Sequence, residues 1–359
     1  METRMTRDIL LQILDLARWA PSGDNTQPWR FELVADDHLA IHGHDTRDHV
    51  LYDFDGHASQ MAHGAFLETL RLAATRYGLA AKWQIRAGQP DTAPIYDVKL
   101  RRADIPEDPL VPFITTRTVQ RRAMSATRLL PTQKDALIAA VGNDHTLQFF
   151  ESFTDRLAVA RLLWNNAYIR LTCPEAYPVH RDIIEWNARF SADRIPDQAV
   201  GTDPLTTKLM HWVMQSWGRV VFFNRFLGGT IVPRLQLDFA PALACAGHVL
   251  MKPAVPPSGL AARIEVGVAL QRLWLTTAAL GLQLQPEMTP VIFRWYARSS
   301  RTFSTDPAIA AGTRKLATQF EAVAGAGPSD AFSFFCRIGE SPLPSARSTR
   351  KSLPDLAVD

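Results

Sequence analysis

Two stretches of the chain set apolar residues three and four positions apart and close on the same Gly-Leu pair. Residues 64–79 align without gaps on residues 267–282. The matches are Gly64/Gly267, Leu67/Leu270, Leu70/Leu273, Leu72/Leu275, Gly78/Gly281 and Leu79/Leu282. Each stretch predicts a buried helix whose final glycine suits the left-handed position just past a helix end. The flanks repeat the pattern. Before the first copy, residues 6–19 carry Ile9, Ile13, Leu16, Ala17 and Ala20 on one helical face, and Pro21 stops the helix. Before the second copy, residues 132–141 predict a weaker helix, followed by a strand-like 146–150. After the first copy, 81–85 and 95–100 read as short strands; after the second, 291–296 and 332–338 read the same way. Helix, strand, helix and strands occur twice, which predicts a duplicated α+β unit.

Residues 104–112, with Pro106, Pro109 and Pro112, read as a stiff linker, so the halves are expected to be 1–112 and 113–359. The second half is longer. Its surplus, about 154–233, holds Trp164, Trp186, Trp212 and Trp217 among helical patterns, and is expected to form a helical lid. One helix in it is expected to carry Leu209, Trp212, Val213, Ser216 and Trp217. The most lipophilic stretch, 220–232, is broken by Asn224, Arg225, Gly228 and Gly229 and is too short to cross a bilayer, so it reads as a buried or lid segment.

Composition narrows the class. A chain of 359 residues with 47% hydrophobic and 21% charged residues is neither disordered nor fibrous. At roughly 150 residues per domain it holds about two domains, or one built twice. Thirty-nine basic against 36 acidic residues leave +3, too small a surplus to predict nucleic-acid or membrane partners, so any anion site must be local. The amino terminus lacks the pattern of a secretion signal, and Cys173, Cys245 and Cys336 form no CxxC pair; a cytoplasmic protein is expected. Six of the ten histidines fall between His38 and His63, but no cysteine joins them and no metal site is expected. Gly228-Gly229 lacks the order of a dinucleotide fingerprint, and no G-x-S-x-G elbow occurs.

Residues 20–29, Ala-Pro-Ser-Gly-Asp-Asn-Thr-Gln-Pro-Trp, are the most informative run. A helix stopped by proline leaves a turn whose amides, together with the Ser22 hydroxyl and the Asn25 carboxamide, can meet the polar edge of a heterocycle. The residues alone equally allow an Asx-turn joining helix to strand, with Trp29 in the core. The run resembles the nitroreductase signature, in which a helix ends at A-P-S and an N-x-Q-P-W turn leads into the first strand. That resemblance implies an α+β, FMN-dependent nitroreductase-like fold, with Pro21, Ser22, Gly23, Asn25 and Gln27 at the flavin.

The family also uses an R-R-S-x-R run before its first helix to hold the flavin phosphate. Arg4 and Arg7 lack that spacing. The second half opens with 114–122, Ile-Thr-Thr-Arg-Thr-Val-Gln-Arg-Arg, and there the resemblance places Arg117, Thr118 and either Arg121 or Arg122. Guanidinium groups suit phosphate because their planar fork gives two parallel charge-assisted bonds. In the carboxyl-terminal tail, Arg347 and Arg350 match a basic pair that relatives bring to the same phosphate. The run around Pro286 and Glu287 falls where relatives send a backbone amide toward flavin N5, although the usual glycine is missing.

In the superfamily two subunits share each flavin. Here the turn lies in one half and the arginines in the other, while the second half's equivalent turn reads Val-Gly-Asn-Asp-His at 141–145. This resembles the tandem, Acg-type branch: two fused, divergent copies packed as an internal pseudo-dimer, with one FMN per chain. It implies a monomer, further association left open, that passes hydride from NAD(P)H through FMN to a small electron-poor acceptor such as a nitro compound or quinone. The flavin carries the chemistry, so no catalytic side chain is expected. The alternatives are a protein that sequesters or senses FMN with little turnover, and a flavin module of a biosynthetic pathway such as molybdopterin or modified-peptide assembly.

Overall fold

The computed structural model describes residues 7–299 and 301–358. Arg4, and Thr6 at the start of the predicted first helix, lie outside them. The first unit runs α1 (Arg7–Ala17), β1 (Trp29–Ala35), β2 (His38–Gly43), α2 (His57–Thr75), β3 (Leu79–Ile85) and β4 (Ile95–Arg102). Its antiparallel sheet has the order β1-β2-β4-β3. The second unit begins with α3 (Pro131–Ala140) and β5 (His145–Phe150). An insert follows, with α4 (Phe153–Thr172), α5 (Ala176–Asp182), α6 (Pro204–Val213) and α7 (Trp217–Phe226) as its main helices. The chain then resumes with β6 (Gly247–Pro253), α8 (Gly259–Ala279), β7 (Gln283–Pro286), α9 (Thr289–Ser299), α10 (Pro307–Ala324) and β8 (Phe334–Gly339). The second sheet has the order β5-β6-β8-β7, the connectivity of the first with each strand replaced by its counterpart. The α+β unit is therefore present twice.

The two long helices of the repeat, α2 and α8, pack side by side in the same direction, and their contacts come in exchanged pairs. A Cβ added to Gly64 would run into the Ile264 carbonyl and lie 3.0 Å from Gly267 Cα. One added to Gly267 would run into the Met61 carbonyl and lie 2.9 Å from Gly64 Cα. Met61 and Ile264 stand three residues before their glycines, so these contacts exchange when the copies are exchanged. The same holds further along, where Arg272 bonds Glu68 at 2.9 Å and Gln271 donates to Thr69 at 2.8 Å. Such reciprocity is the mark of a twofold interface. Glycine is required at the crossing because only backbone fits there.

Residues 291–296 are not a strand. They lie in α9, which Thr289 and Pro290 open, proline being suited to a helix's first turn. Val291, Ile292 and Phe293 are buried there, Val291 and Phe293 in the apolar core that also takes in α4 and α10. The strand after the second repeat helix is β7. In the insert, the expected single helix around Trp212 is two. Asp203 caps α6 and Ser216 caps α7 through side-chain bonds to first-turn amides, so Ser216 and Trp217 begin a new helix. The first core also gathers Ile114 from beyond the proline-rich linker and Leu356 from the tail, which returns to β1 through Val358 donating to the Phe31 carbonyl. No helix among the described residues is long and apolar enough to cross a membrane.

Candidate functional site

The turn after α1 is built from residues in unusual backbone conformations. Asp24, Asn25 and Gln27 have φ of 49°, 64° and 50°, the left-handed region that non-glycine residues rarely occupy. Such strain persists only where surrounding bonds over-determine it. Here the Ser22 hydroxyl accepts from the Gln27 amide at 3.0 Å. Asn25 Nδ2 donates to the carbonyls of Ala192, Arg194 and Thr349, and Gln27 Nε2 to that of Ala192, while Gln27 Oε1 accepts from the Lys351 amide. The turn is thus clamped to the insert and to the tail.

Pro21, Ser22 and Gly23 line a cavity of about 660 Å³. The opposite wall comes from the second unit, including Arg121, Pro286, Glu287 and Arg337, and the two repeat helices contribute Met61 and Trp274. The site therefore lies between the two copies. The insert also lines this space, with Leu209 and Val213 of α6 and Val220 and Phe223 of α7. A volume of this size falls within the range of small-molecule and cofactor sites.

The cavity wall carries both signs of charge: Arg121, Arg170 and Arg337 line it together with Asp24, Asp238 and Glu287, and Arg170 pairs with Asp238. Glu287 is buried between His248, at 2.7 Å from Nδ1, and Arg337, at 3.0 Å. Nε2 of His248 faces the Ala242 carbonyl at 3.0 Å, so both ring nitrogens meet acceptors and the ring carries both protons. Burial opposes that charge, but the Glu287 carboxylate outweighs it and lifts the His248 pKa to about 10. Arg337 also donates to the Arg121 carbonyl. One carboxylate thus serves two cations, and Arg121 stands beside them. Burial lowers the Arg121 pKa to about 10, with the Asp24 carboxylate acting against it. Burial raises the pKa of Asp24 itself. Deeper in, Tyr52 Oη lies 2.7 Å from His180 Nε2, and burial together with Arg170 holds His180 neutral, with a pKa of about 3.

A second cationic centre adjoins the end of α1. Arg117 Nη2 donates to the Trp19 carbonyl at 2.7 Å, and Arg350 Nε to the Ala20 carbonyl at 3.0 Å. Arg347 stacks over the Trp19 ring at 4.9 Å. Among the described residues none of these three guanidinium groups is paired with a carboxylate. Burial, followed by the neighbouring arginines, drives the Arg117 pKa down to about 9 and that of Arg350 well below its ordinary value; burial also lowers Arg347. Arg117 Nε is buried with no partner. A buried guanidinium without a counter-charge, as at Arg117, is costly, and an anion such as phosphate would relieve it. Arg117 and Thr118 line a smaller cavity of about 320 Å³, whose wall shares Trp274 with the larger one.

Each residue expected from the sequence can now be placed. Pro21, Ser22, Gly23, Arg121, Pro286 and Glu287 line the large cavity; Arg117 and Thr118 line the neighbouring one; Arg347 and Arg350 join Arg117 around Trp19. Asn25 and Gln27 brace the turn and do not line either cavity. Arg122 is exposed, so of the neighbouring pair it is Arg121 that enters the site. The Glu287 amide donates to the Phe335 carbonyl, and its carboxylate is the group aimed at the charged wall. Sequence reading missed Asp24, Arg337, Tyr52, His180 and Arg170. A lone arginine inside the apolar run of β8 was a usable signal; Tyr52 and His180 offered none. The clustered histidines disperse into separate pairings, His38 with Asp97, His42 with Glu32 and His63 with Tyr96.

Residues 1–54 match the model of the nitroreductase family, so this segment, with its helix and strained turn, is nitroreductase-like. No curated protein matches. Among solved structures, the FMN-dependent nitroreductase NfnB from Mycobacterium smegmatis, in complex with NADPH, is 13% identical with a TM-score of 0.35. It covers 69% of this chain, and 96% of its own length is matched. An iodotyrosine deiodinase bound to FMN and 3-iodo-L-tyrosine is 11% identical, with a TM-score of 0.35 and coverage of 68% of this chain and 95% of its own. A nitroreductase with bound FMN from Bacteroides fragilis is 11% identical, with a TM-score of 0.32 and coverage of 68% and 94%.

Proposed function

We propose that this nitroreductase-like chain is an FMN-dependent oxidoreductase that passes hydride from NAD(P)H to an electron-poor acceptor, a nitro compound or a quinone. The observation that carries this reading is the shared cavity: the turn of one copy and Arg121 of the other line a single space, next to buried Arg117 and half-buried Arg347 and Arg350, none of them paired with a carboxylate among the described residues. Pro21, Ser22, Gly23 and Arg121 would hold the ring, and Arg117, Thr118, Arg347 and Arg350 the phosphate. When bound, FMN supplies hydride acceptance and donation at N5.

The chain's own contribution is electrostatic and steric. Arg121, which has no carboxylate ion pair among the described residues, would set positive charge beside a ring that gains electrons, while Arg337 is shared with Glu287 and holds the Arg121 carbonyl. Asn25 and Gln27 fix the turn by bonding the insert and the tail. α6 and α7 bring apolar side chains to the same space. With the neutral His180 carrying its proton on Nε2 and donating to Tyr52, the Tyr52 hydroxyl on the cavity wall would keep its own proton for a carbonyl or nitro oxygen of the acceptor.

The insert also favours a second reading. Leu209, Val213, Val220 and Phe223 on the cavity wall would crowd an incoming nicotinamide, which suits a protein that sequesters FMN. Anaerobic addition of NADH or NADPH separates the two. Bleaching of a yellow protein supports the oxidoreductase; a yellow protein inert to both supports sequestration. A colourless protein that does not take up added FMN refutes both.

A further inference from the structure

We propose that the α6–α7 hairpin is a docking face for an anionic lipid bilayer, lying on the membrane surface rather than crossing it. This stands independently of the oxidoreductase reading. Its basis is a hairpin apolar on both sides. Along α7 and its C-terminal cap, Val220, Phe223, Asn224 and Leu227 face the cavity at helical spacing, while Val221, Phe222, Arg225 and Phe226 between them are exposed and do not line it. Neither α6 nor α7 holds a buried residue. Val221, Phe222 and Phe226 are exposed on the outer side of α7, Phe226 at 64% and Phe222 at 53%, and Trp212, Ile231 and Leu235 are exposed in the same segment. The Phe222 and Phe226 rings lie 5.3 Å apart. A helix that is apolar all round and unburied lacks a partner.

Charge identifies the partner. Between Asp203 and Asp238 the chain has no acidic residue but carries Lys208, Arg219, Arg225 and Arg234. Arg234 is buried on Trp164. Of the other three, Lys208 and Arg225 are exposed and Arg219 half-exposed, Arg219 lies over the Trp212 ring at 4.4 Å and Arg225 over Phe226 at 5.4 Å, and none is paired with a carboxylate among the described residues. Exposed Phe and Trp ringed by basic residues form the pattern of helices that lie at a lipid interface, with apolar groups among the acyl chains and cations at anionic headgroups. A symmetric dimer through this face would bring two acid-free basic surfaces together. The net charge of +3, averaged over the whole chain, conceals this local bias.

The test is co-sedimentation of the full chain with vesicles of phosphatidylcholine alone and of phosphatidylcholine with phosphatidylglycerol. The expected result is binding to the anionic vesicles only, weakened by added salt. It should fall roughly tenfold or more in Phe222→Ser/Phe226→Ser and in Lys208→Glu/Arg225→Glu, and Trp emission should shift to the blue on binding. All four positions are exposed, so thermal unfolding should be unchanged; the lipid and salt comparisons need no variant. Absence of binding to anionic vesicles at low salt overturns the proposal, as does binding that ignores headgroup charge. A wild-type dimer in solution that Phe222→Ser/Phe226→Ser splits, without vesicle binding, would assign the face to a second copy and also overturn it.

Discussion

Replacing Gly64 or Gly267 with alanine tests the internal twofold directly. In an ordinary helix interior this change stabilises by about 1 kcal/mol, because glycine loses more backbone freedom on folding. At the α2/α8 crossing the added Cβ meets a backbone carbonyl that cannot rotate away, and the facing glycine Cα lies 3.0 Å or 2.9 Å off. Overpacking of this kind costs typically about 1–3 kcal/mol, and an immovable backbone places it at the upper end. Each substitution should therefore destabilise by about 2 kcal/mol net. Gly312 in α10 is the internal control. A Cβ there meets only Ile169 side-chain carbons at 3.5 Å, ordinary contact, so Gly312→Ala should stabilise by up to about 1 kcal/mol. Urea unfolding of the three variants reads the contrast as a shift of midpoint at constant slope. Gly64→Ala combined with Gly267→Ala should cost less than the sum of the two, because the gap opened by the first accommodates the second. If Gly64→Ala stabilised the protein as Gly312→Ala does, the helices would not meet at these glycines and the twofold would be wrong.

Two further outcomes follow from buried and paired charges. Asp97 accepts two bonds from Arg86, with His38 beyond, and its pKa is lowered from 3.8 to about 2, so its stabilising contribution is present above about pH 4 and is lost as pH falls toward 2. Asp97→Asn should accordingly unfold more easily than wild type at neutral pH and match it at pH 2, as urea midpoints at the two pH values would show. His248→Phe leaves Glu287 with only Arg337 and should cost about 3–5 kcal/mol at pH 6. Because the His248 pKa is raised from 6.5 to about 10, its stabilisation is complete below 6.5 and fades as pH rises through 10; the gap between wild type and variant should narrow over that range in thermal scans.

What was legible in the sequence is what repeats or breaks a rule. The duplication shows because the helix crossing admits only glycine, which marks the same place in both copies. The turn shows because proline, the small residues and the carboxamides that stop one helix and start a strand occur together. Elements without such marks were misread. Val291–Ile292–Phe293 fits a short buried strand as well as a helix, and only Pro290, placed in the helix's first turn, distinguishes the two. The α6–α7 break depends on Ser216 acting as a cap, which an apolar stripe running through it conceals. The roles of Asn25 and Gln27 were hidden because their partners lie in the insert and the tail, more than 160 positions away. Arg121 and Arg122 differ only in which side of an irregular segment they face, and composition is silent on that.

The central claim is that one copy holds a flavin ring while arginines from the other copy and the tail hold its phosphate. Its most direct test compares FMN with riboflavin, which lacks the phosphate, by fluorescence titration of wild type and Arg117→Met. A charge-assisted bond is worth about 1.5–3 kcal/mol, so wild type should bind one FMN per chain and prefer it to riboflavin by well over tenfold. Arg117→Met should lose roughly tenfold to a hundredfold in FMN affinity while riboflavin binding stays unchanged. Equal affinity of wild type for the two flavins, or an equal loss of both in the variant, would contradict the account.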